Sequence, residues 1–378
     1  MPSDTRGTKR LTFFLTFFLL IGCLPQDAML SLKHVRGSGL RVIVYHPWWA
    51  GKAWRMYDWD GLDEVYFFDI ELDGNGYFKA AHDWPLAWLD MIQQAKTAGV
   101  AVAPTITLSN RQDFVELFGN RYNWNLLIQN ILEAVRITDA PVVHLDIEIF
   151  ESVPSYAREG FTEFVATLRK RLRERGGPQE LSMYLLAHDP GDVFDERRLA
   201  RWVDYFIVQG YDLHWADGAV AGPVAPISDW DGAGWNAILR RLDEEGIPRK
   251  KLIMAIPFYG YEWPVESPDP GAPVRGKGRA ITYAPVDTLQ MPTFKIAALD
   301  RIRTYGFERD PKSGSPFYVF QDSTGWYQGW FEDPESIRRK IAFIKEQGLA
   351  GVAVFSPAYD NGTLWNALRT ALEGTGTY

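Results

Sequence analysis

From Arg41 onward, short apolar runs alternate with longer amphipathic stretches. Runs rich in β-branched and aromatic residues predict strands, and apolar positions at helical spacing predict helices between them. The predicted strands are Val42 to Tyr45, Glu64 to Phe68, Val100 to Ile106, Val142 to Glu148, Leu181 to Leu186, Tyr205 to Val208, Leu252 to Pro257 and Gly351 to Phe355. The predicted helices include Pro85 to Ala98, Trp124 to Ile137, Tyr156 to Glu174, Trp235 to Glu245 and Pro334 to Gln347. This α/β pattern predicts a (β/α)8 TIM barrel, whose active site lies at the C-terminal ends of its strands.

The interval between the seventh and eighth predicted strands is too long for one helix. It contains two strand-like aromatic segments, Phe317 to Phe320 and Gly325 to Trp330, which argue against a disordered loop. We therefore predict a catalytic barrel over residues 41–260 and 330–378 and a small α+β insertion domain over residues 261–329.

The fourth predicted strand carries an unusual polar face. His144, Asp146 and Glu148 alternate with apolar residues at period two, so the three side chains point to one side of the strand. Carboxylates are rarely buried without a partner or a function. The spacing therefore favours a catalytic cluster that holds a proton, with acidic residues at an ordinary strand end as the alternative.

A metal site is a further alternative, because a histidine and two carboxylates suit several divalent ions. The chain has only six histidines and no second His-rich segment. We therefore predict no metal and no other cofactor.

Composition narrows the class of partner. The chain has 378 residues, including 15 Trp, 17 Tyr and 22 Phe, and aromatic side chains in excess of a core's needs suit stacking on sugar rings. Its formal net charge of −8 argues against a nucleic-acid partner. Nothing in the sequence indicates an oligomeric state. The tryptophans near predicted strand ends are stacking candidates: Trp48, Trp49, Trp215, Trp230 and Trp263.

The N-terminus predicts a targeting segment. Lys9 and Arg10 precede an apolar run that is too short to span a bilayer comfortably. The segment that ends in Cys23 resembles a bacterial lipoprotein box, with an ordinary signal peptide as the alternative. The resemblance implies a signal peptide over residues 1–22, lipidation of Cys23, a tether over residues 23–40, and a lipid-anchored or secreted protein of the cell envelope.

Four segments together resemble glycoside hydrolase family 18, the chitinase-like barrels. His144 to Glu148 is similar to the end of the family's strand-four motif, and Tyr205 to Asp212 is similar to its strand six. Lys251 to Gly260 and Gly351 to Ser356 stand where the family has strands seven and eight. The predicted insertion falls where many family members carry one.

The resemblance implies a substrate-assisted mechanism, in which the 2-acetamido oxygen of the sugar attacks the anomeric carbon. Glu148 would be the acid, Asp146 would orient the acetamido group and raise the pKa of Glu148, and Tyr211 would hydrogen-bond the acetamido carbonyl. The predicted substrate-binding residues are His144, Gln209, Asp212, Tyr259, Phe355, Trp49 and Trp263.

The sequence departs from the family pattern at three places. His144 replaces the middle Asp of the strand-four motif, where it could hydrogen-bond Asp146 and, if cationic, lower the pKa of both carboxyl groups. Phe355 replaces the usual Trp below the reacting sugar. The family's Ser-x-Gly-Gly motif is absent, and residues 105–110 stand in its place. This departure resembles the peptidoglycan-directed, spore-cortex branch of the family.

The resemblance implies a retaining hydrolase of β-linked N-acetylglucosamine polysaccharides or oligosaccharides, either peptidoglycan or chitin-type glycans. The alternative is a chitinase-like lectin that binds carbohydrate with little or no activity. Such lectins typically lose the acid, which is present here as Glu148.

Overall fold

The computed structural model describes residues 39–174, 179–286, 289 and 294–374. The predicted signal peptide, Cys23 and most of the predicted tether lie outside the described residues. No helix within the described ranges is long and apolar enough to cross a membrane.

The strands have the following bounds: β1 Arg41–Pro47, β2 Glu64–Leu72, β3 Phe78–Ala80, β4 Ala101–Leu108, β5 Val142–Ile147, β6 Glu180–Leu185, β7 Tyr205–Val208, β8 Leu252–Pro257, β9 Tyr259–Val265, β10 Arg279–Thr282, β11 Glu308–Arg309, β12 Pro316–Asp322, β13 Gly325–Trp330 and β14 Gly351–Phe355. In the described part of the chain, β1, β2, β4 to β8 and β14 pair in parallel. The ring closes because β1 pairs with both β2 and β14. The predicted (β/α)8 barrel is confirmed.

The α-helices have the following bounds: α1 Leu89–Ala98, α2 Arg111–Phe118, α3 Arg121–Thr138, α4 Ser155–Glu174, α5 Glu196–Leu199, α6 Trp235–Glu244, α7 Ala298–Tyr305, α8 Pro334–Glu346 and α9 Thr363–Glu373. Short 3-10 turns cover Trp48–Ala50, Ala53–Met56, Trp59–Gly61, Leu86–Trp88, Arg249–Lys251 and Pro357–Tyr359. Local sequence sets several ends. Asp333 forms a capping box at the start of α8, and α1 ends at Gly99, which has a positive φ of 75°.

A second, antiparallel sheet lies between β8 and β14 in the sequence. Its order is β10-β9-β13-β12-β11, and its strands run from Tyr259 to Trp330. The fully buried Glu262 accepts hydrogen bonds from Arg279, Arg301 and Tyr318, at 2.6, 2.8 and 2.7 Å. Because Arg301 belongs to α7, this carboxylate joins the helix to the sheet, and such a partnered charge is far less costly to bury than a lone one.

Polar residues occupy the N-terminal end of the barrel. Arg41, Glu64 and Glu180 each begin a barrel strand and form an ion-pair cluster with distances of 2.7 and 2.8 Å. Buried apolar residues predominate in the strands above this cluster, together with buried tyrosine, serine and histidine side chains. The opposite, C-terminal end of the barrel carries the polar residues singled out in the sequence.

Candidate active site

The predicted polar face of the fourth barrel strand lies inside the barrel. His144 and Asp146 are buried on β5, and Glu148 follows directly. The backbone N–H of Glu148 donates to the carbonyl of Leu108 at 2.9 Å, which holds Glu148 in line with the end of β4. The period-two pattern therefore places the acidic side chains at the end of the barrel where active sites form.

Glu148 has the electrostatic setting of a general acid. Its pKa is raised to about 7, first by burial and then by the negative charge of Asp212. A carboxyl group with this pKa retains a proton near neutral pH and can donate it to a leaving oxygen. The sequence analysis ascribed the rise to Asp146; in the structure burial is the first cause, and the like charges of Asp146 and Glu148 also oppose the ionisation of both groups.

Asp146 is more enclosed than Glu148. Burial raises its pKa well above the usual range, and the charges of Glu148 and Asp69 add to the rise. Its Oδ1 atom is buried and has no hydrogen-bond partner among the described residues. Because an ionised carboxylate in this setting needs a donor, Asp146 suits a ligand that brings its own N–H group.

Asp212 follows β7 in the left-handed region, with a φ of 56°. The hydroxyl of Tyr259 donates to its Oδ1 at 2.7 Å, and Tyr261 also hydrogen-bonds it. Burial raises the pKa of Asp212 to about 6, and the two tyrosines oppose the rise. Asp212 is therefore charged near neutral pH and acts on Glu148 as a fixed negative neighbour.

A small cavity opens above the acidic residues. Its volume is about 270 Å³, and its floor and walls are mostly aromatic. Phe355 lies near its base, with its ring centroid 5.6 Å from that of Tyr45 and 6.1 Å from that of Tyr259. The indole N–H of Trp49 donates to the Tyr359 hydroxyl at 2.8 Å, which joins the loops after β1 and β14. Such a cavity can hold a sugar ring against apolar faces.

A second, larger cavity of about 670 Å³ shares Glu148, Gln209 and Asp212 with the first. The shared residues therefore form the boundary between the two spaces. Phe150 and Trp215, each 50% exposed, line the second cavity. A ligand that extends through both cavities would pass directly beside Glu148.

Most of the predicted site residues come together in the first cavity. Its lining includes the three predicted catalytic residues, Glu148, Asp146 and Tyr211. It also includes five predicted binding residues, Gln209, Asp212, Tyr259, Phe355 and Trp49. Gln209 additionally accepts a hydrogen bond from the backbone N–H of Ala187 at 3.1 Å, which fixes its side chain.

Two predicted substrate-binding residues are not placed to contact a ligand. Trp263 is fully buried and lines neither cavity, because the backbone of Gly278 covers its indole ring. His144 is fully buried beneath the first cavity and lines neither cavity. Neither side chain reaches either cavity, because residues distant in sequence cover both.

His144 also lacks the predicted interaction with Asp146. Its Nε2 lies 4.0 Å from Asp146 Oδ2, beyond hydrogen-bond distance. Burial lowers the pKa of His144 to about 3, so the ring is neutral and does not act as a cation on the carboxyl groups. Its nitrogens instead contact Tyr45 and Ser182, at 2.8 and 2.9 Å.

Sequence reasoning missed several lining residues: Phe68, Tyr184, Tyr261 and Tyr359 in the first cavity, and Phe150 and His188 in the second. Phe68, Tyr184, Phe150 and His188 lie near the C-terminal ends of predicted strands, a signal that was available. In the described ranges no group of three or more His, Cys, Asp or Glu side chains is arranged to hold a metal ion.

The sequence matches the family described as "Glycosyl hydrolases family 18" over residues 41–360. The chain belongs to this family. The resemblance deduced from the four motifs is therefore confirmed at the level of the family.

Two relatives in family 18 match this chain over different shares of its length. The cortical fragment-lytic enzyme of Bacillus anthracis is 24% identical over 241 residues, which are 61% of this chain and 49% of that protein. The di-N-acetylchitobiase of Rattus norvegicus is 24% identical over 348 residues, which are 85% of this chain and 86% of that protein. The chain thus spans about half the length of the Bacillus relative.

The fold of this family 18 chain is similar to that of the spore cortex-lytic enzyme SleL of Bacillus cereus. The TM-score is 0.69 at 20% identity, and the match covers 87% of this chain and 73% of SleL. At this identity the likeness supports the fold alone.

Replacing Asp212 is expected to change the pH dependence of activity. Asp212→Asn removes the charge that raises the pKa of Glu148, so the alkaline limb of kcat/KM should move to lower pH by roughly 0.5 to 1 unit. Rates across pH 4 to 9 on an aryl chitobioside would measure the shift. Asp217→Asn is a matched control, because Asp217 pairs with Lys277 and lines neither cavity. A limb that moves equally in both variants would contradict the assignment.

Proposed function

We propose that this chain is a retaining, substrate-assisted glycoside hydrolase that cleaves β-linked glycans next to an N-acetylglucosamine residue. The observation that carries the proposal is the unpartnered, buried Oδ1 of Asp146 beside the high-pKa carboxyl group of Glu148. A sugar with a 2-acetamido group brings the N–H donor that Asp146 lacks. A sugar with a 2-hydroxyl group can also donate to Asp146, but it has no acetamido oxygen to attack the anomeric carbon.

The roles follow from position and charge. Glu148 protonates the leaving oxygen, because its pKa of about 7 keeps a proton available. Asp146 accepts from the acetamido N–H and turns the acetamido oxygen toward the anomeric carbon. The hydroxyl of Tyr211, which lines the same cavity, donates to that oxygen and holds it in position for attack on the anomeric carbon. The resulting bicyclic intermediate is opened by water on the face that the leaving group occupied, which retains the configuration.

The two cavities suggest how the glycan lies. The smaller, aromatic-walled cavity takes the reacting N-acetylglucosamine, and the larger cavity with Phe150 and Trp215 takes the leaving portion. The larger space accommodates a bulkier sugar there. Together with the name of the Bacillus anthracis relative, this favours peptidoglycan or its fragments as the substrate, with chitin-type oligosaccharides second.

We also propose that the protein acts in a bacterial cell envelope and is anchored through a lipid on Cys23. The support is the sequence of the first 23 residues, with a basic start, an apolar run and a single cysteine.

The proposal is tested with the chain from Leu24 onward and three aryl glycosides: a β-N-acetylglucosaminide, an N,N′-diacetylchitobioside and a cellobioside. We expect hydrolysis of at least one acetamido substrate, no hydrolysis of the cellobioside, and unchanged rates with a chelator present. Proton NMR of the first product should show the β-anomer. Inversion, or equal cleavage of the cellobioside, would contradict the mechanism. Binding of chito-oligosaccharides without turnover, on these substrates and on peptidoglycan, would instead indicate a lectin.

A further inference from the structure

A line of buried polar groups runs through the barrel interior, from the ion-pair cluster at the N-terminal end to the catalytic carboxyl groups. All of its members are buried, and they come from five strands: β1, β2, β5, β6 and β7. In order, its members are Glu64, Tyr205, Tyr66, Ser182, His144 and Tyr45.

The lower half of this line begins at a charged group. Glu64 Oε1 accepts from the Arg41 guanidinium at 2.7 Å, and Glu64 Oε2 accepts from the Tyr205 hydroxyl at 2.7 Å. The Tyr205 hydroxyl lies 2.9 Å from that of Tyr66, which lies 3.0 Å from Ser182 Oγ. Burial raises the pKa of Glu64, and Arg41 opposes the rise. We take Glu64 as ionised, because the guanidinium contacts it directly.

The upper half ends beside the active site. Ser182 Oγ lies 2.9 Å from His144 Nδ1, and the Tyr45 hydroxyl lies 2.8 Å from His144 Nε2. Within the described residues, the other acceptor near Ser182 Oγ is the carbonyl of Val143, at the longer distance of 3.4 Å. The neutral ring of His144 carries one N–H group, on either nitrogen.

Counting protons fixes the direction of every bond. The line has five links, and five protons are available from three tyrosines, one serine and one neutral histidine. An ionised Glu64 only accepts, so Tyr205 must donate to it. Each remaining group must then donate to the neighbour nearer Glu64 if no link is to be left without a proton.

We propose that the Arg41–Glu64 ion pair, acting through this line, holds His144 as the Nδ1–H tautomer and draws the Tyr45 hydroxyl proton toward His144 and away from Asp146. His144 is then a positioning residue, not a substrate contact. The functional part of this inference rests on the proposed hydrolase activity, whereas the tautomer does not.

The consequence concerns the proton on Asp146. Because the Tyr45 hydroxyl donates its proton in a hydrogen bond to His144, it has none to offer Asp146, whose Oδ2 lies 4.0 Å from His144 Nε2. Among the described residues no protein donor contacts the buried Oδ1 of Asp146. Asp146 therefore stays protonated until a substrate N–H group arrives. Substrate binding then favours release of the Asp146 proton to solvent, while Glu148 retains its own proton.

Other ionisable groups also face Asp146, and the test must separate them from His144. They are Asp69 on β2, Tyr45 on β1, Tyr184 on β6, Tyr211 after β7 and Glu148 after β5. A break in the lower half of the line replaces none of these residues.

The experiment breaks the line with Tyr66→Phe, which removes one hydroxyl and keeps the ring. Ser182 is then free to donate to His144 Nδ1, which allows the Nε2–H tautomer and turns the Tyr45 proton toward Asp146. ¹⁵N NMR of histidine-labelled protein at pH 8 reads the tautomer without substrate, and His144→Gln assigns the signal among the six histidines. We expect Nδ1–H in the wild type and Nε2–H in Tyr66→Phe.

The pH profile gives the second readout. A new hydrogen bond to the Asp146 carboxylate favours its ionised form, so the acid limb of kcat/KM should move about one pH unit lower in Tyr66→Phe. Ser182→Ala also breaks the line, and it should show the same Nε2–H tautomer and the same shift of the acid limb as Tyr66→Phe. Tyr57→Phe is the matched control, because it removes a hydroxyl 2.8 Å from the buried His46 and leaves the line intact.

Three results would overturn the proposal: Nε2–H in the wild type, an unchanged tautomer in both broken variants, or a changed tautomer with the acid limb unmoved. A protein inactive on every substrate would refute the hydrolase proposal and leave the tautomer result standing. The two proposals can therefore fail separately.

Discussion

Glu148→Gln is expected to lower turnover of an aryl N,N′-diacetylchitobioside by about 10²- to 10⁴-fold, the usual contribution of a general acid. The amide is close in size and shape to the carboxyl group but does not supply the proton that the leaving oxygen requires. Initial rates of fluorophore release would measure the loss. The affinity for a non-hydrolysed chito-oligosaccharide should change little, because Glu148 acts mainly in the transition state.

Glu151→Gln is the matched control, because Glu151 is exposed, lies three residues farther along the chain and lines neither cavity. Its turnover should equal that of the wild type. Residual activity in Glu148→Gln above a tenth of the wild-type rate would show that another group donates the proton.

The same substitution is expected to stabilise the protein at alkaline pH. Glu148 has a pKa of about 7 in the folded protein, against an ordinary value of 4.5. The unfolded chain therefore releases this proton first, and the folded state loses stability as pH rises from 4.5 through 7. Glu148→Gln has no proton to release, so at pH 8 it should exceed the wild type by roughly 3 kcal/mol in free energy of unfolding.

Urea unfolding of both proteins at pH 4.5 and pH 8 would test this expectation. The two free energies of unfolding should be similar at pH 4.5, where the Glu148 side chain is neutral in the folded protein, and should diverge at pH 8. A constant difference across this range would mean that Glu148 ionises as easily in the folded protein as in the unfolded chain.

The sequence predicted the elements that depend on local pattern. Barrel strand β7 has its predicted bounds, and α3 begins three residues earlier than predicted because Asn120 caps it. The period-two spacing of Asp146 and Glu148 was sufficient to place both carboxyl groups in one cavity. These features are set by residues close together in the chain.

Other features depend on contacts between distant segments. Trp263 and Trp215 are both tryptophans after predicted strands. The loop with Gly278 buries Trp263, whereas Trp215 is 50% exposed. The neutral, buried ring of His144 contacts hydroxyl groups from two other strands, those of Tyr45 and Ser182. No pattern within one segment reports such neighbours.

The closure of the barrel between β1 and β14 has a consequence for biosynthesis. Asp146 and Glu148 are translated well before residue 351, where β14 begins. The floor residue Phe355 and the wall residue Tyr359 emerge later, and β14 also fills the gap between β1 and β8. A nascent chain that ends before β14 therefore contains Glu148 but lacks part of the cavity around it. The cavity around Glu148 is therefore complete only once β14 has left the ribosome and paired with β1 and β8.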